Sequence, residues 1–199
     1  ALPLGLGWLL ALASILVNVL VVWRAVLLVR LVRRQRDELA ALARTDGLTG
    51  IANRRSWDFE IARRAADAGA ADQPVAVAIL DLDHFKRFND EQGHQSGDRL
   101  LVACAAAWTD ALPADAYLAR YGGEEFAVLL PTSDLASAVE VLERVRIATP
   151  PPVTVSIGVA VLDPALPVHV SVSSADDALY RAKAKGRDQV VADRRTASV

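Results

Sequence analysis

The sequence predicts an α/β domain preceded by a membrane-spanning helix and a short linker helix. Two observations support this organisation. The first part of the chain is an uninterrupted apolar segment, whereas the part after Arg44 alternates short apolar runs of strand length with longer segments of helical spacing. The composition agrees, because 53% of the residues are hydrophobic and the mean hydropathy is +0.26, both high for a purely soluble domain.

The N-terminal segment from Leu2 to Trp23 contains no charged residue. A helix of this length measures about 33 Å, enough to cross the hydrocarbon core of a bilayer. Arginines follow this segment, whereas no Lys or Arg precedes it. The positive-inside rule therefore places the C-terminal flank, and the α/β domain, in the cytoplasm. We therefore expect residues 1–32 to form a single-pass helix of the inner membrane with its cytoplasmic flank. A buried core helix is the alternative, and the arginine cluster that follows disfavours it: Arg24, Arg30, Arg33, Arg34 and Arg36.

Residues 33–44 predict a linker helix between the membrane and the domain. Apolar residues that begin near the end of the membrane segment fall on a 4-3 heptad spacing, which is typical of a parallel coiled coil but also of an ordinary amphipathic helix. Both interpretations stay open over so short a segment. The residues of this heptad seam are Leu28, Val32, Leu39 and Leu42.

The chain contains no methionine, so we expect a piece of a longer protein.

The strands of the α/β domain are predicted from short apolar runs. Gly122 and Gly123 separate two of these runs, so we expect a hairpin in which the glycines supply positive backbone angles. The predicted strands are Pro74–Leu80, Tyr117–Tyr121, Phe126–Leu130, Val153–Val161 and Gln189–Ala192.

The helices are predicted from helical spacing and from residues that end helices. Pro113 ends one helix and Gly186 ends another, while Cys104 lies in an apolar helical run where burial is expected. The predicted helices are Gly97–Leu112, Leu135–Ile147 and Ala175–Lys185, and Ala65–Ala71 is predicted as a helix end with its loop.

Two pairs of carboxylates predict a metal site. Asp81 and Asp83 follow a strand, and Glu124 and Glu125 occupy the hairpin tip. Converging carboxylates need a cation, and an all-oxygen ligand set favours Mg²⁺ or Mn²⁺ over zinc. Nearby basic residues suit a polyphosphate, so metal-assisted phosphoryl chemistry on a nucleotide is indicated. These basic residues are Lys86, Lys183 and Arg187.

Other nucleotide and nucleic-acid binding modes are disfavoured. The chain has neither a Walker A loop nor a Rossmann glycine fingerprint. Its net charge of -2 gives no reason to expect nucleic acid as a partner.

Several motifs, in the same order, resemble those of GGDEF-domain diguanylate cyclases over residues 45–193, with residues 194–199 left as a tail. The segment Arg120–Phe126 resembles the signature hairpin in its GGEEF form. The remaining matches are Asp46–Arg55, Asp81–Lys86 with Asn89-Asp90, Gly93-His94 and Gly97-Asp98, Val155–Val159, and Ala178–Lys183 with Gly186-Arg187.

This resemblance implies a palm-like nucleotide-cyclase fold, with a central, mostly antiparallel sheet flanked by helices. It also implies condensation of two GTP molecules into cyclic di-GMP, with two Mg²⁺ or Mn²⁺ ions per active site. Because each domain would bind one GTP, a homodimer through the linker helix and the cyclase domain is expected. The alternatives are a degenerate domain that only binds GTP or cyclic di-GMP, and a cyclase with a mixed cyclic GMP-AMP product.

The resemblance also assigns roles to residues. Asp81, the Leu82 carbonyl, Glu124 and Glu125 would bind metal, and Glu124 would accept the proton of the attacking hydroxyl, with Glu125 as its catalytic partner. Asn89 and Asp98 would bind guanine beside His94. The phosphates would be held by the backbone amides of His84 and Phe85 with Lys183 and Arg187, and Lys86 would also lie on the substrate side. Gly122 and Gly123 would let the hairpin backbone approach the nucleotide closely.

Some residues are expected to have structural rather than catalytic roles. Asp83 is expected to support the metal shell, and His169 to lie in a surface loop. The family's RxxD inhibitory motif would fall at Pro113 and Ala116, where neither residue matches, so strong product inhibition is not expected. The residues expected to brace the junction between linker and domain are Asp46, Asn53, Arg54 and Arg55.

Overall fold

A computed structural model of the chain describes residues 18–30, 44–71, 74–132 and 134–193. Residues 18–30 form helix α1. Within the described ranges, no helix is both long and apolar enough to cross a bilayer. Most of the predicted membrane span, Leu2 to Trp23, and most of the predicted heptad seam lie outside the described residues. The chain divides into two compact units between Ala43 and Arg44.

The described part of the second unit is built on a six-stranded mixed sheet in the order β1-β3-β4-β2-β5-β6. The central pairings β3–β4, β4–β2 and β2–β5 are antiparallel, and the edge pairings β1–β3 and β5–β6 are parallel. The strands are β1 (Ala52–Asn53), β2 (Val75–Leu82), β3 (Tyr117–Arg120), β4 (Glu125–Pro131), β5 (Val155–Val161) and β6 (Val190–Ala192).

Helices cover both faces of this sheet. Because side chains alternate along a strand, the even-numbered residues of β2 enter one core and the odd-numbered residues enter the other. Helices α4 and α5 contribute to the first core, and α2 and α6 to the second. The helices are α2 (Arg54–Ala71), α3 (Phe85–Gln92), α4 (His94–Ala111), α5 (Leu135–Ile147) and α6 (Val168–Ala184).

The strands and helices predicted for the α/β domain are confirmed, with shifts in their ends, but the loop predicted within Ala65–Ala71 is wrong because α2 continues to Ala71. Helix α5 has the predicted bounds, and α4 begins at His94 rather than at Gly97. The predicted start of the last helix at Ala175 is wrong, because α6 already begins at Val168. His169 is exposed as expected, but it lies in the first turn of this helix and not in a loop.

Two close contacts hold the elements that carry the candidate site. Trp108 of α4 packs edge-on against Phe126 of β4 with ring centroids 4.8 Å apart, and its indole N–H donates to Thr149 Oγ1 at 3.0 Å. On the other face, a Cβ at Gly158 of β5 would overlap the backbone of Ala175 in α6. The glycine therefore allows α6 to lie directly on β5, next to the strand β2 that carries Asp81 near its carboxyl end.

Candidate active site

The carboxyl end of β2 meets the hairpin between β3 and β4. Asp81 is paired in register with Glu125, and the backbone N–H of Leu82 donates to the carbonyl of Glu124 at 3.4 Å. Asp81 is buried, with 7% of its surface exposed. The strand pairing thus brings together the two carboxylate pairs that the sequence analysis singled out.

A lysine from α6 joins this cluster. Lys183 Nζ lies 2.8 Å from Asp81 Oδ2. Burial nevertheless raises the pKa of Asp81, and the ion pair with Lys183 only partly opposes that effect. Burial also raises the pKa of Glu124, and the negative charge of Asp81 raises it further. One lysine therefore does not neutralise the cluster, which has a residual preference for a bound proton or cation.

The donor set fits a hard divalent cation. Asp81, Glu124 and the carbonyl of Leu82 offer oxygen ligands, which suit Mg²⁺ or Mn²⁺. No group of three or more His, Cys, Asp or Glu side chains placed to hold a metal occurs among the described residues. Mg²⁺ sites commonly use one or two carboxylates and take further ligands from substrate phosphates and water, so two carboxylates are sufficient.

The glycines of the hairpin differ from the expectation. Neither Gly122 nor Gly123 has a positive φ, so the prediction of left-handed glycines at this tip is wrong. The hairpin closes instead through the N–H groups of Tyr121 and Gly122, which both donate to the carbonyl of Glu125, at 2.8 and 3.0 Å. A Cβ at Gly122 would lie 2.5 Å from Glu125 Oε2, the far end of a flexible side chain that can turn away, and Gly123 has open space beside it.

Arg120 fixes the tip of the hairpin. Its Nη2 and Nε donate to the carbonyl of Gly123 at 2.7 and 3.2 Å, and its Nη1 lies 3.1 Å from Asp46 Oδ1. Burial raises the pKa of Asp46, but hydrogen bonds from Thr49 and Arg120 outweigh it and the net shift is downward. Asp46 is thus a satisfied anion that connects the beginning of the domain to the hairpin.

The neighbouring Tyr121 makes a second link to the beginning of the domain. The Arg54 guanidinium lies 4.0 Å from the centre of the tyrosine ring, and Trp57 packs edge-on at a centroid distance of 6.2 Å. Asn53 caps α2 by accepting from the Ser56 N–H at 3.0 Å. These contacts hold the beginning of the domain together through Asp46, Asn53 and Arg54, whereas Arg55 is exposed. The expected junction with the linker helix lies outside the described residues.

The residues expected to bind guanine lie on α3 and α4. Asn89 Oδ1 is buried and lacks a hydrogen-bond partner in the described structure. An unpaired buried acceptor is costly, and a ligand N–H such as those of guanine would satisfy it. Gly97, for which no role was predicted, makes room for Asn89, because a Cβ there would overlap Asn89 Oδ1. His94 and Asp98 are exposed near the N-terminal end of α4.

The expected phosphate-binding residues are only partly gathered. His84 has a left-handed backbone with φ of 59° and precedes α3, and Phe85 is buried as the first residue of that helix. Arg187 Nε lies 3.9 Å from Asp83 Oδ1. Lys86 is exposed, and its side chain makes no polar contact within the described ranges.

Comparisons with known proteins agree with this geometry. Residues 43–189 match the family described as diguanylate cyclase, GGDEF domain. The chain is 39% identical over 162 residues to diguanylate cyclase DgcP of Pseudomonas aeruginosa, covering 74% of this chain and 24% of that protein. It is 35% identical over 172 residues to response regulator PleD of Caulobacter vibrioides, covering 80% and 38%. The chain therefore spans well under half of these relatives' length.

Solved structures show the same similarity. The GGDEF domain of DgcB from Caulobacter crescentus, crystallised in complex with c-di-GMP, superposes with a TM-score of 0.71 at 37% identity, covering 75% of this chain and 95% of that one. Diguanylate cyclase SiaD from Pseudomonas aeruginosa, in complex with its activator SiaC, gives 0.72 at 34% identity, covering 95% and 78%. From its motifs, its fold and these matches, the chain belongs to the GGDEF diguanylate cyclase family.

Proposed function

We propose that this chain is a diguanylate cyclase that converts two GTP molecules into cyclic di-GMP and two pyrophosphates. The observation that carries the proposal is the cluster of Asp81, Glu124 and Lys183, in which two carboxylates with raised pKa values lie beside a lysine at the hairpin. In each of the two condensations, a 3′-hydroxyl attacks an α-phosphate, a P–O bond forms, and the bond to pyrophosphate breaks.

The residues of the site divide this chemistry between them. The raised pKa of Glu124 suits a group that accepts the hydroxyl proton, because a general base works best with a pKa nearer the working pH. Lys183 and Arg187 supply positive charge for the triphosphate, and Asn89 with Asp98 would orient the base. Asp81, the Leu82 carbonyl, Glu124 and Glu125 would hold the divalent cations, two per active site, which would neutralise charge on the phosphates.

We also propose that the enzyme works as a homodimer at the inner membrane. Each domain would present one GTP to the other, and the linker helix would bring two copies into register. The support for anchoring is the uncharged segment Leu2–Trp23 followed by arginines, which predicts a cytoplasmic domain. A reporter active only in the cytoplasm, fused after Val199, should work, while recovery of the intact chain in the soluble fraction without detergent would contradict anchoring.

Incubation of the purified chain with GTP and Mg²⁺ tests the activity. Cyclic di-GMP and pyrophosphate should form in a ratio of one to two, and ATP should not replace GTP. The alternative, a module that only binds GTP or cyclic di-GMP, has one point in its favour: the DgcB domain was crystallised with c-di-GMP. Binding of GTP without formation of product, under conditions where the chain is folded, would establish that alternative.

A further inference from the structure

The carboxylate of Asp83, two residues beyond Asp81, is occupied by the protein itself. Its Oδ2 accepts from Thr154 Oγ1 at 2.7 Å and from the backbone N–H of Asp188 at 3.1 Å, and its Oδ1 accepts from Ser156 Oγ at 2.7 Å. The side chain is 1% exposed. A carboxylate with three internal donors and almost no exposure is poorly placed to bind a metal. Its bonds instead tie the beginning of β5 to the turn between α6 and β6.

That turn, residues 186–188, has an unusual backbone. The φ angles of Gly186, Arg187 and Asp188 are 112°, 67° and 45°. A left-handed backbone costs free energy for residues with a Cβ, so it persists only where its surroundings impose it. The bond from Asp188 N–H to Asp83 is one such constraint, and a bond from Arg187 N–H to the carbonyl of Ala182 at 3.0 Å is another.

Helix α5 supplies a third constraint through Arg146. Its Nη1 donates to Asp188 Oδ1 at 2.8 Å, and its Nε donates to Glu143 Oε2 at 2.7 Å. Glu143 lies one turn earlier on the same helix, so it holds the guanidinium in place. The side chains of Asp83 and Arg146 therefore hold Asp188 from two separate elements, one through its backbone and one through its carboxylate.

Arg187 lies between these constraints. Its backbone is fixed by its neighbours, whereas its side chain is 42% exposed, with Nε 3.9 Å from Asp83 Oδ1. Asp83 lies two residues beyond Asp81, so this contact places the Arg187 guanidinium at the same end of β2 as the ion pair between Lys183 and Asp81. If φ at Arg187 or Asp188 returned to negative values, the Cα–Cβ bond of Arg187 would point in another direction.

We propose that Asp83 and Arg146 are positioning residues, which act through Asp188 to hold Arg187 in place for the triphosphate of GTP. This inference rests on the proposed function. In this arrangement, Asp83 does not bind metal. It holds the turn at residues 186–188, which carries Arg187, in the position that suits the triphosphate. Arg146, which belongs to none of the family motifs noted above, becomes part of substrate binding without touching substrate.

Arg146→Ala in the full chain is the main test. We expect KM for GTP, and the Kd of inorganic triphosphate with Mg²⁺ measured by calorimetry, to rise about tenfold, which corresponds to about 1.4 kcal/mol. We expect kcat to stay within about twofold, because the change affects ground-state and transition-state binding alike. Arg146→Lys, which keeps the charge but not the fork that bridges Glu143 and Asp188, should give an intermediate KM. The matched control is Arg144→Ala, an exposed arginine on the same helix, which should change nothing.

A double-mutant cycle separates positioning from a general loss of stability. Arg187→Ala should raise KM by itself, and adding Arg146→Ala to it should cause no further rise. An effect of Arg146→Ala that is equally large in the Arg187→Ala background would overturn the inference, and so would unchanged KM and Kd in Arg146→Ala. If Arg146→Ala failed to fold, as seen by thermal unfolding, Asp188→Ala at the exposed end of the same ion pair would decide by the same criteria.

Failure of this inference and failure of the cyclase proposal give different results. Wild-type synthesis of cyclic di-GMP with no effect of Arg146→Ala would overturn the inference alone. A wild type that makes no product, but whose triphosphate binding is weakened by Arg146→Ala, would overturn the cyclase proposal and support the inference. A wild type that does not bind triphosphate at all would overturn both.

Discussion

Arg120 connects the hairpin that carries Glu124 to the turn at the beginning of the domain, and Arg120→Ala tests whether this connection positions the hairpin. The substitution removes two hydrogen bonds to the carbonyl of Gly123 and the ion pair with Asp46. Asp46 keeps its two hydrogen bonds from Thr49, at 2.9 and 2.7 Å, and therefore stays satisfied.

The expected cost in stability is modest. A hydrogen bond contributes about 1 kcal/mol net, and an ion pair that is partly exposed contributes up to about 1 kcal/mol. Because both hydrogen bonds share one acceptor, we expect a loss of about 2 kcal/mol in the free energy of unfolding, which a domain with an ordinary stability of about 5–15 kcal/mol survives. The expected loss in activity is larger, because Gly123 directly precedes Glu124 and a displacement of about 1 Å in a reacting group costs about 100-fold in rate.

The assay measures kcat and KM for GTP together with urea unfolding. Arg64→Ala is the matched control: the Arg64 side chain is 15% exposed, like that of Arg120, and it donates to a backbone carbonyl, that of Asp115, at 2.9 Å. It also pairs with Glu60 at 2.8 Å, so a similar stability loss is expected with unchanged kcat. If Arg120→Ala kept more than about a third of wild-type kcat at a stability equal to that of Arg64→Ala, Arg120 would not be needed to position the hairpin.

Three further outcomes are expected. Glu124→Gln should lower kcat by at least about 100-fold, the scale of a positioned proton acceptor, and near wild-type synthesis of cyclic di-GMP would contradict its role. Without metal ions, the same variant should be more stable than wild type at pH 7, because burial raises the pKa of Glu124 above 4.5 and its ionisation disfavours the fold. Urea unfolding at several pH values should show this difference shrinking as the pH falls through the folded-state pKa and disappearing below 4.5, the value of an unperturbed glutamate, whereas a constant difference would contradict the shift. Added cyclic di-GMP should not inhibit strongly through the surface at Pro113 and Ala116. This expectation would be contradicted by inhibition at low micromolar product, together with tight binding in calorimetry that disappears when residues 113–116 are mutated.

Elements with a strong local pattern could be predicted from the sequence. Strand β2 is buried on both faces, so it appears as a continuous apolar run. Helix α5 has helical spacing throughout, and Asp134 caps it by accepting from the Ser137 N–H at 2.8 Å. In both elements the local pattern and the packing lead to the same structure.

Other elements depend on contacts that the local sequence does not show. Strand β1 has only two residues and exists through its parallel pairing with β3. The first turns of α6 alternate valine with polar residues, as a strand would, yet they are helical because Val168 and Val172 pack one turn apart on the second core. Tertiary packing overrides the local pattern there.

The supporting residues of the candidate site were harder to predict than its acidic residues. Clusters of carboxylates after a strand and at a hairpin tip are visible as soon as the sequence is divided into elements. The partners of Asp46 and Asp83 cannot be recognised in this way. Arg120 lies 74 residues from Asp46, and Asp188 lies 105 residues from Asp83. Pairs so distant are brought together only by the sheet order and by the packing of α6 on β5.

The direction of the pKa shift separates Asp46 from Asp81 and Glu124. Asp46 is partly buried, but its donors outweigh burial and its pKa falls, so the protein itself stabilises the anion. Asp81 has a lysine at 2.8 Å and Glu124 lies at a hairpin tip, yet the pKa of each rises because burial and neighbouring negative charge prevail. An anion that the fold leaves understabilised requires a cation or a proton from outside, and both are part of the proposed reaction. The acids assigned to the proposed reaction are therefore those the fold leaves unsatisfied. Asp46 and Asp83, whose carboxylates accept hydrogen bonds from the protein, instead hold the hairpin and the turn at residues 186–188.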